Sequence, residues 1–151
     1  MRNIIALLIA VSLLNGCEFM PNGIKGNGKV VNKEIEISAF NGIDVSGGFD
    51  VYLKKGSTPH VRLMVDENLL PHIKVASNNN MLKINTQKNF WKYKSLKVFI
   101  TYQDLSVLDV SGGVDLIAEE KITSDNFVMR FSGGSDGRIR LDANSLMLEL
   151  S

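Results

Sequence analysis

The sequence predicts an all-β fold, a parallel β-solenoid (β-helix) of short strands. Three observations predict it. The motif Ser-Gly-Gly-x-Asp occurs three times, at 46–50, 111–115 and 132–136. Each copy follows a short alternating strand: Ile43-Asp44-Val45, Leu108-Asp109-Val110 and Met129-Arg130-Phe131. No stretch sustains a helical period of about 3.6 residues, so almost no helix is expected. The chain ends on Leu148-Glu149-Leu150-Ser151, which reads as the start of a fourth copy. Ser111, Ser132 and Ser151 then recur at about 20 residues, the spacing of a strand, a sharp turn and a strand stacked coil on coil.

The chain has 151 residues, a single-domain length. It opens with a basic start, Met1-Arg2-Asn3, and an apolar run from Ile4 to Leu14 broken only by Ser12. At ~1.5 Å per residue that run is too short to cross a bilayer core of about 30 Å as a helix. It reads instead as a secretory signal. Leu14-Asn15-Gly16-Cys17 resembles a bacterial lipobox. The resemblance implies a lipoprotein-type signal peptide over 1–16 and an acylated Cys17. Glu18, rather than Asp, follows the cysteine, which implies the outer membrane. Stable anchoring takes more than one acyl chain. Cys17 is the single cysteine, so no internal disulfide is possible. Residues 17–33 contain Pro21-Asn22-Gly23 and Gly26-Asn27-Gly28 and are expected to form a flexible tether.

The folded body is expected over 34–151. Ile35, Ile37, Phe40, Ile43 and Val45 alternate, with a turn at Asn41-Gly42. Val51 and Leu53 follow the first Gly-Gly pair, and Lys54-Lys55-Gly56 turns the chain. Val61, Leu63 and Val65 form a strict alternating strand. Asp66 to Leu70 suits one helical turn, which Pro71 is expected to stop. Ile73 and Val75 begin another strand, Ser77 to Asn80 a turn, and Leu82 with Ile84 a further strand. Leu96, Val98 and Ile100 make the next, and short strands and glycine turns then repeat to the end. Stacked in parallel at ~4.8 Å, the copies would align Val110, Phe131 and Leu150 in one inward row and Leu108, Met129 and Leu148 in another. The pairs Gly47-Gly48, Gly112-Gly113 and Gly133-Gly134 would be sharp corners needing positive φ.

These motifs, with Asp66-Glu67-Asn68-Leu69-Leu70-Pro71-His72-Ile73 and Leu82-Lys83-Ile84 between them, resemble the head GIN domain of bacterial envelope proteins. The resemblance covers residues 34–151. It implies a right-handed parallel solenoid and an envelope location, with no established activity. The C-terminal repeat is expected to be incomplete, since resembling proteins continue through further coils.

The formal charge is +1, and Arg2 belongs to the expected signal, so the rest is near neutral. That excludes nucleic acid as the main partner. The charge is nonetheless divided. Six lysines and no acid lie between Glu67 and Asp104, while nine acids face four bases from Asp104 onward. Lys88, Trp91, Lys92, Tyr93, Lys94 and Lys97 interleave aromatics with cations and are the candidate binding surface, a pattern suited to an anionic glycan, a lipid headgroup or a nucleic-acid strand. Asp50, Asp115 and Asp136 would stack as an acidic ladder, but two oxygens per copy are few for calcium, and no metal or other cofactor is expected. Asp115, Asp136, Arg130, Arg138 and Arg140 could share a face, as in carbohydrate-active β-helix proteins. No nucleophile-and-base or paired-carboxylate spacing accompanies them. His60 and His72 lack ligand-spaced partners. The expectation is a non-enzymatic, lipid-anchored envelope protein for adhesion or binding, held on the membrane through its N-terminal lipid and meeting envelope glycan, lipopolysaccharide or a surface protein. The alternatives are a protein that binds or cleaves polysaccharide and a structural envelope component.

Overall fold

The computed structural model describes residues 22–151. Cys17 and the expected signal peptide lie outside the described residues. Ile24–Lys25 (β1) and Val30–Glu36 (β2) come first. Gly42–Ser46 (β3) and Asp50–Lys55 (β4) flank the first Gly-Gly pair. His60–Asp66 (β5) runs into a short 3-10 helix, Glu67–His72. Ile73–Asn78 (β6) and Met81–Thr86 (β7) follow, then the two-residue Phe90–Trp91 (β8) and Leu96–Tyr102 (β9). Val107–Ser111 (β10), Asp115–Ala118 (β11), Ile122–Phe131 (β12), Asp136–Arg138 (β13) and Leu141–Leu150 (β14) complete the chain.

The fold is all-β, with two six-stranded sheets ordered β6-β7-β3-β10-β12-β14 and β2-β5-β9-β4-β11-β13, plus the small pair β1-β8. One core lies between the large sheets. Ile43, Val45, Leu108 and Val110 enter it from the first sheet, and Val51, Leu53, Val98 and Leu116 from the second. The period-2 alternation of these strands places one apolar row inside and one polar row outside.

The repeated motif stacks in the expected register. Ser111 aligns with Ser46, and Asp115 aligns with both Asp50 and Asp136. Val110, Phe131 and Leu150 form one row, and Leu108, Met129 and Leu148 the other. The N–H groups of Ser132 and Ser151 donate to the Val110 and Phe131 carbonyls, each at 3.0 Å. All six corner glycines have positive φ, between +67° and +112°. In the last two corners the first glycine presses on the corner before. A Cβ on Gly112 would stand 3.2 Å from the Gly47 nitrogen, and one on Gly133 3.0 Å from the Gly112 nitrogen.

Four expectations are corrected. First, the sheets are mixed rather than wholly parallel: β5 runs antiparallel to β2 and β9, and β6 antiparallel to β7. Asn79 and Asn80, with φ of 51° and 61°, form a two-residue hairpin turn that reverses the chain. Second, stack order differs from chain order. The β7–β9 unit lies on the far side of β3–β4 from β10–β11, with Leu82 beside Ile43 and Val98 beside Val51. Third, much of the expected tether is folded. β1 pairs with β8, and β2 covers the β5 edge from Val30–Asp66 to Glu36–His60, leaving fewer unpaired main-chain groups there. Fourth, Pro71 lies inside the 3-10 helix instead of stopping it. Its fixed φ suits a helical turn, and the Ile73 N–H closes the end on the Leu70 carbonyl.

The two ends of the stack differ. β2 and β6 cover one end. At the other, Leu146, Leu148 and Leu150 of β14 are 51%, 50% and 70% exposed, although their row-mates Leu108 and Val110 are fully buried. They line an open cleft of about 470 Å³ with Met129, Phe131, Ile139 and Leu141.

Candidate functional site: the corner that carries Trp91

Ser46 in β3 aligns with Asn85 in β7, so both units leave the first sheet at the same level. The β3 chain turns on Gly47-Gly48. The β7 chain has no glycine pair and reaches β9 through residues 87–95, which hold most of the candidate binding residues.

This long corner is fastened from two sides. Asp66, at the end of β5, is fully buried. Its carboxylate accepts N–H bonds from Gly28 at 2.8 Å, Ser95 at 3.0 Å and Lys94 at 3.1 Å. Burying a carboxylate requires such donors. Gly26 passes so close that any Cβ there would collide with the Asp66 carboxylate and the Tyr93 backbone. The Ser95 hydroxyl donates to the Met64 carbonyl at 2.6 Å. The N-terminal segment forms the second fastening. Ile24 N–H donates to Asn89 O at 2.8 Å, and Gly26 N–H to Trp91 O at 3.2 Å. The Trp91 indole Nε1 donates to Gly23 O at 3.3 Å, and Lys25 Nζ stands 5.9 Å from the Trp91 ring centre. Asn68 holds the strap from below, accepting from Asn27 N–H at 2.9 Å and donating to Lys25 O at 2.8 Å.

Lys88, Lys92 and Lys94 are exposed on this corner, and Trp91 is partly exposed. Tyr93 is 40% exposed, and its hydroxyl reaches the Gly48 carbonyl at 3.5 Å. Burial pushes the Tyr93 phenol above its ordinary pKa, and the Asp50 and Asp115 charges add to the rise. A crevice of about 260 Å³ opens beside it, lined by Gly47, Gly48, Thr86, Asn89 and Phe90. Lys97 is set apart from the corner. It belongs to β9, with Nζ 5.7 Å from the Tyr52 ring.

The other candidates separate. Asp50, Asp115 and Asp136 are neighbours in register, and among the described residues no His, Cys, Asp and Glu side chains cluster as a metal set. Arg130 lies on the first sheet and pairs with Glu149 at 2.8 Å, whereas Asp115, Asp136 and Arg138 lie on the second, so the expected shared face is divided. His60 meets Glu34 at 2.8 Å, and His72 ends the 3-10 helix. Two features escaped the sequence reading. One is Asp66, whose position ahead of a helical turn suggests a cap; its side chain caps nothing. The other is a ladder across the second sheet, where Tyr52 and Phe99 stack at 5.0 Å and Arg62 covers Phe99 at 3.9 Å. Tyr52 alternates with Val51 and Leu53, and Phe99 with Val98 and Ile100, but only the strand pairing makes the two aromatics neighbours.

The corner therefore offers exposed cations, an indole and a phenol, of which the phenol lines the crevice. The family described as "Putative auto-transporter adhesin, head GIN domain" matches residues 39–151. The chain belongs to the head GIN domain family. No curated protein matches it. Crystal structures named as adhesins from Parabacteroides merdae and Parabacteroides distasonis are similar to this head GIN domain at 25% and 24% identity, each with a TM-score of 0.77. They cover 85% of this chain, which spans 55% and 56% of theirs. A structure from Parabacteroides distasonis named as a lipid-binding protein is similar in fold at 20% identity and a TM-score of 0.65, covering 83% of this chain and 62% of its own. Among the described residues of this head GIN domain, no helix is long and apolar enough to cross a membrane.

Proposed function

We propose that this head GIN domain is a non-enzymatic envelope protein, anchored to the outer membrane through acylated Cys17 and displaying a rigid β scaffold for adhesion or binding. The observation that carries this reading is the in-register stack of Ser-Gly-Gly-x-Asp corners, Ser46 beside Ser111 and Asp50 beside Asp115 and Asp136. We read these stacked units as a short β-solenoid. Repetition of that kind gives a stiff body whose corners and outer faces form continuous surfaces. Membership of an adhesin-named family supports the same reading. The exposed cations and aromatics of the Trp91 corner suit anionic partners, envelope glycan, lipopolysaccharide or lipid headgroups.

The test joins anchoring to binding. Labelled palmitate should enter the protein and be lost in a Cys17→Ser variant. The purified full chain should bind members of an envelope-glycan and lipopolysaccharide panel and leave their chain lengths unchanged. Cleaved polysaccharide, or no label on Cys17, would overturn the corresponding half of the reading.

A further inference from the structure

We infer that the Trp91 corner is a membrane-docking face, with Lys25, Lys88, Lys92 and Lys94 set against anionic lipid headgroups and Trp91 at the interface. The inference rests on the anchored reading above and narrows its partner to a lipid surface.

The first observation is the strap. The chain around Trp91 is tied to the residues that immediately follow the proposed anchor: Ile24–Lys25 pairs with Phe90–Trp91, and the indole bonds to Gly23 O. Only four residues lie between Cys17 and Asn22, so five peptide steps join them. Even fully extended, they span at most about 18 Å. An acylated Cys17 therefore keeps this corner near the bilayer, within a few Debye lengths of about 8 Å. A long free tether would have left the corner's distance from the membrane open.

The second observation is charge. Lys25, Lys88, Lys92 and Lys94 are exposed, and none has an ion pair among the described residues. Among the described residues, the acids closest in chain to the strap's contacts are engaged. Asp66 is buried against backbone N–H groups and Glu67 pairs with Lys29 at 2.9 Å, while Asp50 and Asp115 lie on the stacked glycine corners at the Tyr93 side. Basic clusters beside an anionic leaflet gain from its surface potential. The third observation is Trp91, an amphipathic ring of the kind that sits at headgroup level.

The experiment uses the full acylated chain with vesicles of phosphatidylethanolamine and phosphatidylglycerol carrying a nitroxide-headgroup lipid. Trp91 is the single tryptophan, so its fluorescence reports this corner alone. Quenching is expected with these vesicles, and it should fade in high salt and in phosphatidylcholine vesicles. Lys88→Glu, Lys92→Glu and Lys94→Glu together should abolish quenching while the chain still floats with the vesicles. A matching Lys→Gln variant with an unchanged melting temperature separates lost charge from lost folding. A chain that floats by its lipid but leaves Trp91 unquenched overturns the docking face and leaves anchoring standing. A chain that carries no acyl group overturns anchoring. The docking face then survives only if anionic vesicles alone still quench Trp91; otherwise both fall.

Discussion

The corner at Gly112-Gly113 and the corner at residues 87–95 perform the same task, joining the first sheet to the second at levels on either side of β3–β4. They do it by different physics. The glycine corner is local. Two residues with φ of +74° and +78° make the turn, and the missing Cβ at Gly112 lets it lie on Gly47. The long corner cannot hold itself. Its shape depends on a buried carboxylate from β5, on Asn68, and on an N-terminal strap. A turn shaped by its own residues is spent on structure. One shaped by distant partners leaves its side chains free to face solvent, and that is where the lysines and Trp91 are found.

The sharpest way to break this contrast is Asp66→Ala. Three backbone N–H groups would lose their acceptor. At about 1–3 kcal/mol for each buried group left unpaired, and allowing for water entry, the loss should be on the order of 4 kcal/mol. That corresponds to a fall in melting temperature of about 10 °C. Trp91 emission should move to the red as the strap loosens. A melting temperature within ~2 °C of the parent would show that the corner is held by something else.

A smaller effect separates the two halves of a glycine corner. Gly133 and Gly134 have φ of +67° and +75°, but only Gly133 has backbone within reach of an added Cβ. Gly134→Ala should cost about 1–2 kcal/mol, the price of left-handed backbone alone. Gly133→Ala should cost about 1 kcal/mol more, because the Gly112 backbone must shift. Urea titrations giving equal losses would mean that successive corners do not press on one another.

At high pH the long corner should weaken through Tyr93. Its folded pKa is raised by burial, then by Asp50 and Asp115. Below pH 10 the phenol is protonated in both states and costs nothing. Above it the unfolded chain ionises first, so stability falls as pH rises toward the folded pKa. Tyr93→Phe should flatten that fall above pH 10. Tyr102, raised by burial and then Glu120, keeps its own share. Identical alkaline profiles would remove Tyr93 from the account.

The smallest effect lies away from both corners. The hydrogen bond from Lys121 at 2.7 Å, and then its charge, lower the Asp142 pKa. The pair's contribution is present above the unfolded carboxyl's pKa and lost as pH falls through the folded one. Asp142→Asn should shallow the acid limb of a melting profile between pH 2 and 5 only slightly, since the pair is exposed. A large change there would point to a burial the structure lacks.

The glycine corners were legible in the sequence because their chemistry is contiguous: alternating strand, two glycines, aspartate. The register of the rows was legible for the same reason, down to Val110, Phe131 and Leu150, but not that Leu150 would stand exposed at the end of the stack. The β7–β9 unit was harder. Leu82, Ile84 and Val98 read as strands, but with no Gly-Gly pair nothing marked them as a member of the stack, still less as lying on the far side of β3–β4. Asp66 could not be read at all. Its partners are 28, 29 and 38 residues away, and its neighbours suggest a helix cap. The candidate corner was found through composition, its lysines and aromatics. The strap across it was mistaken for a tether, because glycines that open a flexible linker are equally the residues that let a chain pass close to a buried carboxylate.

The position of β3–β4 also carries a consequence for how the molecule assembles. This unit precedes the other stacked units in the chain, yet it ends with β7–β9 on one side and β10–β11 on the other. A chain emerging N-terminus first would present its central layer before either flank. Later segments would then add on two fronts, each finding an exposed strand edge already in register.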